Sequence, residues 1–377
     1  MTNHVTGVNT QAKIETKKED PIVEEIKQKT QTTKETKEEK NNMSNESNLS
    51  KYAGLDIGTM NIISARQNES DRNVGFKRIR DVFIDLTPDQ IKMLKLSGNT
   101  SYITKGDVCY VLGDDAANIA NIFGRDLRNP LKKGVISAGE LEAMEILKIM
   151  VGEVLGQAPE GGICFVSSPG DPVDSDFDAL YHQMIVSDIV GSYGWQVDTA
   201  SEATALAFSE CAENDFTGLC ISCGHGMTNV SLIFKTIETL KFSVARGGSW
   251  LDEQASKVTG KTPSQICAIK EKGINLMAPN GREQQAIAIY YKHHIKYMIK
   301  NFINKFKELQ GNIELPNEIP CVVAGGTSMA EGFIDLVKQA INEEKGFPFP
   351  ISEVKKAHDP LNSVAKGLLI MSQNKDI

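Results

Sequence analysis

The chain has 377 residues, of which 40% are hydrophobic and 24% are charged, and this composition predicts a globular protein of two domains with a large core. Its net charge of −8 argues against direct nucleic-acid binding as the main task, because such binding needs clustered Lys and Arg. The chain has no apolar run long enough for a transmembrane segment and no apolar signal core, so we expect a cytoplasmic protein.

Residues 1–50 differ in composition from the rest of the chain. They are rich in Lys, Glu, Thr, Asn and Gln and contain no aromatic residue, which predicts a disordered, charged tail. The apolar patch at 22–26 (IVEEI) is the one place where this tail could bind a protein partner as a helical turn. The favoured interpretation of the whole tail is a solvated segment.

From residue 51 onward, the hydrophobic pattern alternates between strands and helices. Predicted strands and helices follow in chain order: strands 52–57 and 62–66 around a glycine turn, strand 108–113, helix 140–155, strand 162–166, helix 177–193, hairpin 219–234 around a second glycine turn, helix 283–309, strand 321–324 and helix 329–341. The two hairpins indicate a weak internal repeat. On the long helix, His293 and His294 are predicted to be surface or capping groups, because no other ligand type recurs beside them.

The seven cysteines are scattered through apolar segments, which favours buried, reduced thiols. Cys220 and Cys223 form a CxxC pair, but it lies inside a strand pattern and no second Cys/His pair lies nearby. A redox or metal site at this pair is therefore the less favoured interpretation.

Both glycine turns follow apolar strands, at 54–61 (GLDIGTMN) and 221–229 (ISCGHGMTN). Such a turn presents backbone N–H groups that can hold phosphate oxygens. Two turns that face each other could grip a triphosphate from both sides. Two further segments complete the pattern of a nucleotide site, at 269–272 (IKEK) and 322–328 (VVAGGTS).

These segments resemble the actin/heat-shock chaperone/sugar kinase superfamily over residues 52–372, and are most similar to prokaryotic actins of the MreB and MamK kind. Eight segments occur in the family's order: 56–59 (DIGT), 128–136 (RNPLKKGVI), 201–207 (SEATALA), 221–233, 246–252 (RGGSWLD), 269–272 (IKEK), 324–328 (AGGTS) and 359–367 (DPLNSVAKG).

The resemblance implies an α/β, two-lobed actin-like ATPase fold with duplicated ribonuclease-H-like domains and a nucleotide cleft between the lobes. Lobe I would span 51–199 and lobe II 200–377, with 355–372 returning to lobe I. The implied function is a cytoskeletal protein that self-associates into filaments under the control of ATP binding and slow hydrolysis.

The resemblance also implies roles for single residues, with ATP or ADP and Mg²⁺ as cofactors. Asp56 would hold Mg²⁺ through water, and Glu202 would polarise the attacking water. Thr59 and Thr228 would donate hydroxyl hydrogen bonds, and Lys270 with Glu271 would border the base and ribose. The implied nucleotide-binding residues are Gly58, Thr59, Met60, Gly224, His225, Gly226, Thr228, Lys270, Glu271, Gly325, Gly326 and Thr327.

The second glycine turn departs from the family pattern. Ser222 stands where bacterial actins have an acid, and Met227 and Asn229 replace a threonine and a second acid. A neutral hydroxyl is a weaker partner for hydrated Mg²⁺ than a carboxylate. The departure therefore predicts slow hydrolysis, or hydrolysis that needs an assembled state. His225 replaces a small residue, and an alternative role for it is a cation at the γ-phosphate.

Other function classes stay open at this point. A non-hydrolysing scaffold that recruits partners through its tail would fit Ser222. A chaperone-type ATPase domain is less favoured, because only about ten residues follow Gly367. A sugar kinase would need an acceptor base, for which Asp171, Asp174 and Asp176 are candidates. The favoured interpretation of these three is acids at a helix N-terminus.

Overall fold

The computed structural model describes residues 49–97, 102–123, 126–177, 179–309 and 318–375. The predicted tail and its patch at 22–26 lie outside the described residues. Leu49 and Ser50, the last two residues of the predicted tail, are described. They belong to the first strand.

Fifteen strands are present in the described ranges. They are β1 (Leu49–Ile57), β2 (Asn61–Asn68), β3 (Val74–Arg80), β4 (Phe83–Leu86), β5 (Ile103–Lys105), β6 (Val108–Leu112), β7 (Leu131–Lys132), β8 (Val135–Ile136), β9 (Ile163–Ser168), β10 (Gln196–Ser201), β11 (Gly218–Cys223), β12 (Thr228–Phe234), β13 (Ile237–Val244), β14 (Ile319–Ala324) and β15 (Ile351–Lys356).

Ten α-helices connect these strands in the same part of the chain. They are α1 (Pro88–Ser97), α2 (Gly113–Phe123), α3 (Ala143–Leu155), α4 (Ala179–Gly191), α5 (Glu202–Glu210), α6 (Gly248–Thr259), α7 (Pro263–Glu271), α8 (Gly281–Glu308), α9 (Phe333–Glu343) and α10 (Ser363–Gln373). Among the described residues, no helix combines the length and apolar character that crossing a bilayer requires.

Two five-stranded sheets share one topology, and each forms the centre of a lobe. The strand order is β10-β9-β1-β2-β3 in the sheet of lobe I and β13-β12-β11-β14-β15 in the sheet of lobe II. In each sheet the first strand in the chain is central. It has the next two strands on one side and two parallel strands on the other. The predicted internal repeat and two-lobed fold are therefore confirmed.

Several predicted boundaries differ from the structure. The helix predicted from residue 329 begins at Phe333, because residues 326–329 form a short 3₁₀ turn and Gly332 follows in the left-handed region with φ of +81°. The helix predicted from residue 140 begins at Ala143. In the small sheet β4-β6-β5, the central strand β6 was predicted at 108–113, whereas β4, β5 and the helices α1 and α2 were not. Strand β13, which pairs with β12, was not predicted either.

The long helix α8 packs one apolar face into the core of lobe II, as predicted. The prediction for its histidines is correct only for His293, which is exposed. His294 is fully buried, and its Nε2 lies 3.0 Å from the hydroxyl of Thr228 beneath the second glycine turn. The apolar period of α8 includes position 294, so the ring faces inward with its apolar neighbours.

Helices α5 and α10 pack against each other between the two sheets. Their backbones meet at Gly367, where an added Cβ would lie 1.8 Å from Ala205 O. On its other side α10 touches β1, since a Cβ at Gly54 would lie 2.2 Å from Ala365 O. The C-terminal helix α10 therefore lies against both β1 and α5 at close glycine contacts.

Candidate functional site

The first glycine turn joins β1 to β2 and is fixed on both flanks. Gly58 N donates to the carbonyl oxygen three residues later at 3.0 Å, which closes the turn. On one flank, Thr59 Oγ1 accepts a hydrogen bond from Gly134 N at 2.9 Å. On the other, Met60 O accepts one from Asp81 N at 3.0 Å. The turn thus sits between the β7–β8 hairpin and the end of β3.

The second glycine turn joins β11 to β12 and repeats this geometry in lobe II. Gly224 N donates to the carbonyl oxygen three residues later at 2.9 Å. Gly224 O accepts hydrogen bonds from Gly248 N at 3.0 Å and from Thr327 Oγ1 at 2.8 Å. His225 O accepts one from Ser249 N at 2.8 Å. The start of α6 and the loop after β14 therefore hold this turn in place.

The two turns face each other across the interlobe cleft and are in contact. An added Cβ at Gly226 would lie 2.3 Å from Thr59 Oγ1 and 2.6 Å from Gly134 N, so only glycine fits there. The described conformation is closed at this point. Two surface grooves of about 320 and 310 Å³ lie elsewhere, one between α6 and α8 and the other beside the start of α10.

Two carboxylates lie behind the turns. Asp56 is at the end of β1, and its Oδ1 is buried with no hydrogen-bond partner among the described residues. Burial raises the pKa of Asp56, the nearby charge of Glu202 raises it further, and a hydrogen bond from Ser167 lowers it. A buried carboxylate with an unmet oxygen is a site at which a cation would be stabilising.

Glu202 begins α5 and is held by lobe II. Ser222 Oγ donates to Glu202 Oε2 at 2.8 Å, so the serine that the sequence analysis singled out has a defined partner. Burial raises the pKa of Glu202, and neighbouring hydrogen-bond donors lower it. Asn229 is also buried here: its Oδ1 accepts from Gly170 N at 3.0 Å, and its side chain is one of the donors that lower the pKa of Glu202.

Lys270 and Glu271 lie at the end of α7, at the mouth of the cleft. Lys270 Nζ is 2.8 Å from Asp252 Oδ1 and donates to Gly248 O at 2.9 Å, which ties α7 to α6. Glu271 Oε1 lies 3.5 Å from Nη2 of Arg80, which comes from lobe I. The two lobes are therefore linked by an ion pair that no sequence pattern indicated.

His225 lies between the two glycines of the second turn. Burial lowers its pKa to about 4, and the charges of Lys270 and Arg80 contribute to the decrease. The imidazole is therefore neutral near pH 7 in this conformation. The alternative prediction, in which His225 meets a phosphate as a cation, therefore requires the phosphate to raise this pKa.

The predicted nucleotide-binding loop after β14, at 325–327, packs directly on the end of β11. Gly325 has a φ of +89°, and a Cβ there would lie 2.3 Å from Cys223 O, so this position requires glycine. Gly326 begins the short turn that follows, and Thr327 bonds the second glycine turn. The predicted residues 325–327 are thus brought to the second turn.

Thr228 is the predicted nucleotide ligand that does not face the cleft. It is fully buried, and its hydroxyl donates to Arg246 O at 3.0 Å and lies against His294. In the described conformation this hydroxyl is therefore engaged by lobe II, and the expected bond to phosphate stays a prediction. At the first residue of β12 the side chain points into the core of lobe II instead.

Asp174 also differs from its predicted role as an acid at a helix N-terminus. Helix α4 begins at Ala179, and Asp174 Oδ1 instead accepts a hydrogen bond from Ala245 N at 2.7 Å. Its Oδ2 lies 3.4 Å from Nε of Arg246. This carboxylate is engaged with lobe II, which removes support for a kinase base at this position.

Cys220 and Cys223 lie on opposite faces of β11. Cys220 packs with α5, whereas Cys223 packs in the main core of lobe II. Since side chains three apart on a strand point in opposite directions, the pair cannot bind one metal ion. Six of the seven cysteines are buried, and Cys267 is partly buried.

Duplicated sheets, a glycine turn from each lobe and a cleft between them define an actin-like fold. The chain belongs to the volactin family, whose model matches residues 52–372. None of the curated proteins matches the chain.

Solved structures of prokaryotic actins share this fold. The MamK double helical filament is 16% identical, covers 85% of this chain and 98% of its own, and has a TM-score of 0.63. MreB5 of Spiroplasma citri bound to AMPPNP is 18% identical, covers 86% and 96%, and has a TM-score of 0.61. The ADP-bound form of MreB5 is 17% identical, covers 85% and 95%, and has a TM-score of 0.58. The resemblance to prokaryotic actins is therefore confirmed at the level of fold.

Proposed function

We propose that this protein is a nucleotide-binding cytoskeletal protein of the cytoplasm that assembles into filaments under the control of ATP binding and slow hydrolysis. The observation that carries the proposal is the pair of opposed glycine turns, one from each lobe, with Asp56 and Glu202 behind them. MamK is solved as a double helical filament, and MreB5 is solved with AMPPNP and with ADP. These neighbours support the same activities for this chain.

In this proposal, the backbone of both turns binds phosphate oxygens. The phosphate-side residues are Gly58, Thr59, Met60, Gly224, His225 and Gly226. Lys270, Glu271 and the loop 325–327 border the nucleoside. Since the two turns touch in the described conformation, a phosphate can enter only when the lobes separate. Nucleotide binding would then shift the population between open and closed arrangements.

The carboxylates fit a hydrated magnesium ion. Asp56 Oδ1 is buried without a partner, and Mg²⁺ favours sites of few carboxylates and several waters. Asp56 would hold Mg²⁺ through water, and the ion would supply positive charge to the phosphates. This attraction would also offset the cost of burying Asp56 in its charged form.

Glu202 is the proposed base for the attacking water. Its carboxylate would accept a proton from that water, which requires a free oxygen and sufficient basicity. Ser222 donates to Oε2, so this oxygen is already engaged, and the hydrogen bond offsets part of the increase in pKa that burial gives the Glu202 carboxylate. The proposal therefore expects hydrolysis that is slow compared with nucleotide binding.

Sedimentation and calorimetry test the proposal together. The purified protein should bind ATP in the presence of Mg²⁺ and should pellet more with ATP than without it, with filaments visible by negative-stain electron microscopy. Asp56→Asn should reduce both effects at least about ten-fold, since it removes the charge that holds the ion. Asp188→Asn is a matched control, because Asp188 is an exposed aspartate on α4, outside the proposed site.

No binding of ATP, ADP or GTP by the folded wild-type protein would refute the proposal. Binding without pelleting under any nucleotide condition would refute the filament assembly alone. Binding with assembly that Asp56→Asn leaves unchanged would refute the assigned site.

A non-hydrolysing scaffold is the second candidate, and the Ser222–Glu202 hydrogen bond favours it. Single-turnover phosphate release separates the two candidates. The first expects slow release that assembly accelerates, whereas the scaffold expects none in either state.

A further inference from the structure

Arg80 lies beside the first glycine turn, although no motif points to it. It is the last residue of β3, where it pairs with Asn61 at the start of β2. The following residue, Asp81, donates its N–H to Met60 O of the turn at 3.0 Å. The backbone of Arg80 is therefore fixed at the edge of the cleft on the side of lobe I.

The guanidinium of Arg80 has unmet hydrogen-bonding capacity. Its Nε is buried with no partner in the described ranges, and its Nη2 is 3.5 Å from Glu271. The Arg80 side chain is 29% exposed and that of Glu271 is 55% exposed. An ion pair this long and this accessible to solvent contributes little stability. An anion with several oxygens would accept more hydrogen bonds from the Arg80 guanidinium than Glu271 does, since a guanidinium carries five donors in a planar arrangement.

Arg80 also lies close to the second turn. The positive charge of Arg80 helps to lower the pKa of His225, which lies between the two glycines of that turn. Lys270 acts on the same histidine, but its ammonium is already paired with Asp252 and bonded to Gly248 O. Lys270 is thus paired with a buried carboxylate, whereas Arg80 is paired only with the exposed carboxylate of Glu271.

We propose that Arg80 is a phosphate-binding residue of the cleft, which exchanges Glu271 for the polyphosphate of a bound nucleotide. This inference rests on the proposed nucleotide function and deepens it. Arginine forms bidentate, charge-assisted hydrogen bonds with phosphate that lysine reproduces poorly. Glu271, once released, is free to face the ribose. Arg80 therefore makes the cleft select phosphate-bearing ligands over the nucleoside.

Calorimetric titrations with ATP, ADP and adenosine, each with Mg²⁺, test this role in the full chain. Arg80→Ala should weaken ATP binding about ten-fold or more and leave adenosine binding within about two-fold. Arg80→Lys should recover part of the loss for ATP, because it restores charge without the planar fork. Arg78→Ala is the matched control, since Arg78 is an exposed residue two positions earlier on the same strand, and it should leave all three affinities unchanged.

Two results would overturn the inference while the nucleotide function stands. One is wild-type binding of ATP that Arg80→Ala leaves unaltered. The other is an equal loss for ATP and adenosine, which would mean that Arg80 acts through the fold or through Glu271. If the wild-type protein binds none of the three ligands, the nucleotide function and this inference fall together. Thermal unfolding of each variant checks that it is folded.

Discussion

At the scale of single residues, the cleft contains polar groups that would be costly without a ligand. Asp56 has a buried oxygen without a hydrogen-bond partner, and Arg80 has a buried Nε without one, both within the described residues. Buried polar atoms of this kind are uncommon and destabilising. Their position beside the two glycine turns is what the proposed binding site would produce, because ligand-binding residues often reduce the stability of the ligand-free protein.

The pH dependence of stability should report the burial of Asp56. Its pKa in the folded state is raised, so the folded protein keeps a proton that the unfolded chain releases. The contribution of Asp56 to stability is therefore greatest below its ordinary pKa of 3.8 and falls as the pH rises towards the raised value. Asp56→Asn removes this dependence. Its gain in thermal stability over the wild-type protein should grow from about pH 5 to about pH 8, without nucleotide.

Differential scanning calorimetry of both proteins across this range checks the prediction. Asp188→Asn is a suitable control, because Asp188 is an exposed aspartate on α4. A gain that is constant with pH, or one that shrinks as the pH rises, would contradict the burial of the Asp56 charge.

At the scale of elements, the crossing of α5 and α10 connects the lobes. The helices approach so closely at Gly367 and Ala205 that no side chain fits between them. Glu202 opens α5, and Ser363 at the start of α10 bonds Glu210 at the end of α5. Any change in this crossing therefore moves Glu202, the proposed base, as well as the contact between the lobes.

Gly367→Ala should destabilise the protein strongly. The new Cβ would lie 1.8 Å from Ala205 O, so the helices must separate, at a cost of about 1–3 kcal/mol or more. Gly191→Ala is the matched control, since Gly191 ends α4 and a Cβ there meets nothing within 4 Å. It should be neutral or stabilising by up to about 1 kcal/mol. Urea unfolding measures both, and equal midpoints for the two variants would show that the crossing is loose.

At the scale of the whole molecule, the net negative charge opposes the proposed assembly into filaments. The chain carries a net charge of −8, so identical subunits repel one another at long range. Assembly into filaments would need short-range contacts that exceed this repulsion. Non-closing contacts between identical subunits propagate, which is how a monomer of this fold would form a polymer.

Filament assembly should therefore be promoted by moderate salt. Screening shortens the Debye length from about 30 Å at 0.01 M to about 10 Å at 0.1 M, which weakens the repulsion between subunits. The amount of protein pelleted with ATP and Mg²⁺ should rise over this range and should not respond to a nonionic solute of equal osmolality. A decrease with salt would mean that opposite charges at the subunit contacts dominate instead.

The sequence by itself determined the parts of this protein that depend on near neighbours. A glycine turn after an apolar strand is a local pattern, so the turns at residues 58 and 224 and the repeat that they mark were predictable. The core face of α8 followed from its period in the same way.

Only the tertiary structure decided how distant segments meet. Arg80 pairs with Glu271 and Ser222 bonds Glu202 across long stretches of chain, and Thr228 points away from the cleft, because packing of whole lobes sets these directions. Residue type and spacing along a chain carry local backbone preference, whereas a contact between two lobes depends on how every element between them packs.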